Sequence, residues 1–163
     1  MDYAKIAAEA RALQDATAHD AARRRKQEEA SEAFFKAMEK CVYEEVDKAN
    51  PELRRMNLLT GDRERGVEVS PKQFQAQCRL LFGRNTACEV NLDTTHALID
   101  VEMTGEPDNK GEVKRHRIEF AVSTTEMGVV AHRIASGAMI AGPFGTRQVA
   151  EILVVGIIRG HFE

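Results

Sequence analysis

Between Asp2 and Ala49 the chain contains neither proline nor glycine, so nothing in that stretch compels a bend. Cysteine is sparse: Cys41, Cys78 and Cys88 are odd in number and form no C-x-x-C or Cys/His ligand spacing. The pattern fits reduced thiols in a reducing compartment and supplies no metal site. No apolar run approaches a membrane span. The longest, Ile152–Ile158 counting Gly156, falls far short of the ~20 residues required. The opening "MDYAKIAAEARAL" lacks the basic start and apolar core of a signal peptide. These absences set the expectation of a cytoplasmic protein with no membrane partner.

An excess of one charge is also missing. The 23 Lys+Arg and 26 Asp+Glu leave a net charge of −3, which does not advertise a polyanionic partner and disfavours nucleic acid. P-loop, G-x-G-x-x-G, H-E-x-x-H, G-x-S-x-G and EF-hand spacings are all absent. No cofactor is implied, and the reading is non-enzymatic.

What fills residues 1–50 is Ala, Glu, Lys, Arg and Gln, the strong helix formers. Asp2 is placed to cap the start, and Asn50-Pro51 is expected to stop the helix, because proline disfavours a helical residue before it. The basic run Arg23–Lys26 looks like a polyanion-binding arm until its spacing is considered. Asp20/Arg24, Arg24/Glu28 and Arg25/Glu29, with Arg11/Asp15, Glu32/Lys36 and Glu44/Lys48, stand at helical spacing. Each pair is worth only ~0.2–0.5 kcal/mol, yet together they neutralise the run along its own surface.

A heptad seam from Ile6 runs through Ala10 and Leu13 but then meets Thr17, Asp20, Arg24 and Gln27. Those polar positions make a poor two-stranded zipper. Further on, Ala30, Phe34, Met38, Val42, Val46 and Ala49, with Phe35 alongside, form an apolar stripe that predicts packing on a sheet. Glu32, Glu39, Lys40 and Lys48 are left for solvent. A helix over residues 2–49 would be ~72 Å long, against a ~34 Å diameter for a body built from the rest. Residues 1–28 must therefore protrude, fold back, fray or meet another chain, while 30–49 pack on the sheet. Tyr3, Ile6 and Leu13 are the candidate oligomer interface.

In the body, 51–163, the apolar period drops to two beyond Arg65. Phe74, Ala76, Cys78, Leu80 and Phe82 alternate before a Gly83-Arg84-Asn85 turn. Cys88, Val90 and Leu92 alternate before an Asp93-Thr94-Thr95 turn, followed by Ala97, Ile99, Val101 and Met103. A loop "TGEPDNKGE" leads to Ile118, Phe120 and Val122, and "MGVVAHRI" is a final or penultimate strand. The last segment, "GPFGTRQVAEILVVGIIRG", has Thr146 as N-cap and Gly160 as stop. Its β-branched residues leave 152–158 open between helix and strand. The expected fold is α+β: a long N-terminal helix, an antiparallel meander of four to six strands, and a C-terminal helix packed on one sheet face.

The richest polar sequence is Lys114-Arg115-His116-Arg117, with His132-Arg133 on the next strand. Through the Thr124–Glu126 turn, His116, Arg117, His132 and Arg133 would converge at one end of the sheet, where they could hold a carboxylate or phosphate. The competing expectation puts Arg115 and Arg117 on the wet face and His116 at the rim. His96 and Asp100, four apart on one strand, would stand ~13 Å apart, too far for a dyad. Cys78 and Cys88 flank a turn, but the sequence supplies no base to activate either. "AGPFGT" could cradle an anion at a helix start or simply turn a strand into a helix. Two functions follow. The leading one is an interaction module, self-associating or docking to a partner protein through the N-terminal helix. The alternative is a small-molecule (anionic ligand) binder or an undescribed enzyme with its site between sheet and helix.

Overall fold

The computed structural model describes residues 1–56, 58, 66–70, 75–80 and 84–162; the expected strand positions Phe74 and Phe82 and the turn residue Gly83 lie outside them. Among the described residues, helix α1 (Tyr3–Arg55) is followed by strands β1 (Gly66–Ser70), β2 (Gln75–Leu80), β3 (Arg84–Asp93), β4 (Leu98–Pro107), β5 (Val113–Thr125), β6 (Gly128–Ala135) and β7 (Ala138–Phe144), then helix α2 (Thr146–Arg159). The strands form one antiparallel sheet in chain order, a pure meander. Strands β2–β6 are the five read from the alternation, and β1 and β7 extend them at the two edges.

Helix α1 is continuous for 53 residues, ~80 Å of axis. Its N-cap is Asp2, whose carboxylate accepts the Lys5 N–H. The expected stop at Asn50-Pro51 is not observed: Pro51 lies inside the helix, and the backbone continues to Arg55. Two tertiary contacts override the local preference. Leu53 is buried, and the Asn50 side chain clamps β1, its Nδ2 donating to the Val67 carbonyl at 3.0 Å and its Oδ1 accepting the Val67 N–H at 2.9 Å. Beyond the last turn, the Leu58 N–H donates to the Leu53 carbonyl.

The stripe lies where its spacing placed it. Phe34, Met38, Val42 and Val46 are buried, with Phe35 and Ala49 packed beside them. Of the four residues assigned to solvent, Glu32, Lys40 and Lys48 are exposed and Glu39 is half-buried. The same cluster includes Val90, Ile99, Val101, Met103, Phe120 and Val122 from the sheet and Val149, Leu153 and Ile157 from α2. Register confirms that these strand residues share a face, since Val90 pairs with Val101, Val101 with Ile118, and Val122 with Ala131. Both helices therefore cover one side of the sheet. The Thr86 hydroxyl at the start of β3 donates to the Ile157 carbonyl at 2.8 Å, while the adjacent Gly156 faces β6 and β7. In a flat sheet β3 and β6 would be ~14 Å apart, so the sheet curls around α2.

Several turns shift from expectation. Arg84 and Asn85 are already in β3, paired with Leu80 and Arg79, and Thr104–Pro107 belong to β4 instead of a loop. Segment 152–158 is helical: its buried Leu153, Val154 and Ile157 recur at helical spacing, and packing overrides β-branched preference. Thr146 is the first helical residue, not the cap. Gly145 holds that position and its N–H donates to Gln148 Oε1. Gly160 ends α2 in the left-handed conformation at φ 80°, as expected of a glycine stop.

Candidate functional site

The four ligand candidates are set by β5 and by the β5–β6 register. Phe120 pairs with Arg133 and Ala121 with His132, whereas His116 and Arg117 pair with Met103 and Glu102 of β4. Because Phe120 is in the core, Arg133 shares the inner face, and so does half-buried His116. Arg117 and His132 point to the outer face. On either face the two candidates are four strand positions apart, or ~13 Å. The expected convergence does not occur, because a strand reverses side at each residue and each pair of neighbours is split between the faces.

Each residue has its own setting. Arg117 grips Asp100 with two hydrogen bonds, Nε at 2.7 Å and Nη2 at 3.1 Å, and also meets Glu119 at 3.1 Å. The Asp100 carboxylate, then Glu119, holds the Arg117 guanidinium above its ordinary pKa. His132 lies under Gly142, and its Nδ1 is buried with no hydrogen-bond partner among the described residues. His96 is not on β4 beside Asp100: it sits in the turn after β3, with Nδ1 2.8 Å from Asp93 Oδ2. That contact lowers the Asp93 pKa.

The surroundings of Cys88 do not activate it as a nucleophile. Burial pushes the Cys88 thiol up to about 12, the opposite of what nucleophilic chemistry needs. Cys78 pairs with Thr86 in backbone register, two positions along β3 from Cys88. Cys41 is half-buried with Sγ 3.8 Å from Thr146 Oγ1. The "AGPFGT" stretch ends β7 and starts α2, and the next residue, Arg147, is engaged by α1. It meets Glu44 at 2.6 Å and Glu45 at 3.0 Å, where the sequence spacing had suggested Glu44 with Lys48. Lys48 pairs instead with Glu45, and Asp20 with Arg23 in place of Arg24.

A cleft of about 230 Å³ opens between α2 and the β6–β7 hairpin. Arg133 reaches it from β6, Ala141 and Phe144 from β7, and Ile152, Val155, Gly156 and Arg159 from α2, with His161 and Phe162 closing one side. Gly156 makes this wall possible: a Cβ there would collide with the Phe162 ring. Of these residues only Arg133 was singled out in sequence. Arg159, His161 and Phe162 carried no signal, since the folding back of the chain end alone brings them to the hairpin.

The N-terminal candidates Tyr3, Ile6 and Leu13 are exposed on α1. Every residue from Met1 to Glu29 is exposed, and Ser31 is the first buried one. At 100° per residue, Ile6 and Leu13 fall within the arc that Ser31, Phe34, Met38 and Val42 bury further along. Among the described residues no helix is long and apolar enough to cross a membrane. No family model, curated protein or solved structure matches the chain.

Proposed function

We propose that this chain is a non-enzymatic interaction module that self-associates through its N-terminal helix, in a reducing, cytoplasmic setting. The observation carrying this reading is the exposed length of α1. Residues 3–29 span ~40 Å of helix with no buried residue. An isolated helix gains little from propensity alone, and most helical stability in proteins comes from covering an apolar face. Tyr3, Ile6, Ala10 and Leu13 supply such a face, and its Ile6 and Leu13 continue the line that the body already covers beyond Ser31. A second copy presents the same stripe and meets it by two-fold symmetry. Thr17, Asp20, Arg24 and Gln27 confine the apolar contact to the first few turns. Amide hydrogen exchange tests this: protection of residues 6–16 should rise with protein concentration while that of 34–46 stays constant. Concentration-independent exchange along the whole arm would refute self-association.

A second reading, the binding of a small anion between sheet and helix, is supported by Arg133. Its guanidinium is carried on the apolar inner face and lines a cleft instead of the wet side of the sheet.

A further inference from the structure

We propose that the cleft between α2 and the β6–β7 hairpin binds a small amphiphilic carboxylate, with the acid group on Arg133 and the hydrocarbon against Phe144, Ile152 and Phe162. The inference rests on the small-anion reading and gives it a place and a ligand class. Arg133 pairs directly with Phe120, a fully buried side chain. Its inner-face neighbour Ala131 is buried too, and Phe144 stacks edge-on against Phe120 at 6.3 Å between ring centroids. A cation in that apolar row loses hydration, and a carboxylate partner offsets that loss. Two other arginines of the body show the contrast. Arg117 and Arg147 each hold two carboxylates of their own chain, whereas Arg133 has no carboxylate partner among the described residues.

The rest of the cleft fixes the class of ligand. Its walls are mainly apolar, so a bare inorganic anion would leave most of the lining uncovered. The C-terminal end of α2 carries roughly half a negative charge on the same side, which the full charge of the Arg133 guanidinium outweighs. At about 230 Å³ the space lies below the ~300–1,000 Å³ of drug-sized sites and equals about eight water volumes. A short aliphatic acid or a single-ring aromatic acid fits that space; a long-chain lipid does not.

Octanoate, acetate, inorganic phosphate and 1-octanol, titrated into the full chain and followed by amide NMR shifts and calorimetry, separate the contributions. Saturable binding of octanoate is expected, with shifts centred on Arg133, Ile152, Val155 and Phe162. Acetate, phosphate and octanol should each bind at least about tenfold more weakly, because each lacks either the tail or the carboxylate. Arg133→Gln should weaken octanoate about tenfold or more, and Val155→Trp, a change at an exposed position, should block it in a chain whose circular dichroism is unaltered. Octanoate binding that both variants leave intact, or shifts located elsewhere, would overturn the cleft assignment while leaving anion binding in place. If none of the three anions gives saturable shifts, the small-anion reading itself fails.

Discussion

Truncating Met38 to alanine examines the join between the arm and the body. Met38 is 0% exposed and belongs to the buried cluster that also contains Phe120 and Leu153. Burying a side chain of this size contributes ~1.5–3 kcal/mol, and the cavity left by Met→Ala raises the expected loss to ~2–5 kcal/mol. A loss of ~3 kcal/mol corresponds to a fall of ~6–12 °C in Tm for a chain of this length. In urea it corresponds to about 1.5 M in midpoint for a slope of ~2 kcal/mol per M. The internal control is Leu13→Ala on the same helix. Leu13 is 70% exposed, and alanine is at least as good a helix former, so at dilute concentration its midpoint should stay within ~0.5 kcal/mol of wild type. Any larger effect of Leu13→Ala should appear only as concentration rises, since association stabilises by mass action. If Met38→Ala unfolds at the wild-type midpoint with an unchanged slope, the stripe faces solvent and the assigned face of α1 is wrong.

Three further outcomes follow from local contacts. Asn50→Ala strips both partners from the Val67 backbone, at a position 2% exposed. It should cost ~1–3 kcal/mol in a urea titration, and Asn50→Asp should not recover that loss, because its second carboxylate oxygen would face the Val67 carbonyl where Nδ2 now donates. Gly156→Ala forces Phe162 off α2 while improving helix propensity by up to ~1 kcal/mol. Tm should therefore change little, while Phe162 ring resonances lose their contacts to α2; unmoved resonances would contradict the packing. The Glu44 carboxyl is held below its ordinary 4.5, chiefly by the Arg147 hydrogen bond. Its stabilising contribution is thus present above that ordinary value and lost as pH falls through the lowered folded one. In Arg147→Gln, a carbon-detected titration should show Glu44 rising toward 4.5.

The fold was legible wherever burial imposed a period. Phe34, Met38 and Val42 repeat at helical spacing, and Ile99, Val101 and Met103 alternate, because each set has one face in the core. Pro51 misled because the clamp of Asn50 on β1 lies in long-range contacts that no local rule contains. The β7 segment "AMIAGPF" carries Gly142 and Pro143, which read as turn, yet an edge strand tolerates proline. Its mostly exposed residues also lack the alternation that half-burial creates. Register decided the site. Chain neighbours such as His116 and Arg117 were separated by the pleat, and the cleft gathers Arg133, Arg159 and Phe162 from segments with no shared pattern.

Self-association through α1 is tested most directly by light scattering of the full chain at micromolar concentration, beside the Ile6→Lys/Leu13→Lys double variant. Both substituted positions are exposed, so the monomer fold survives the change. The wild-type chain should scatter as twice its 18.2 kDa, and the variant should return to the mass of one chain. A wild-type chain of single mass, or a dimer that the two lysines leave intact, would contradict the account.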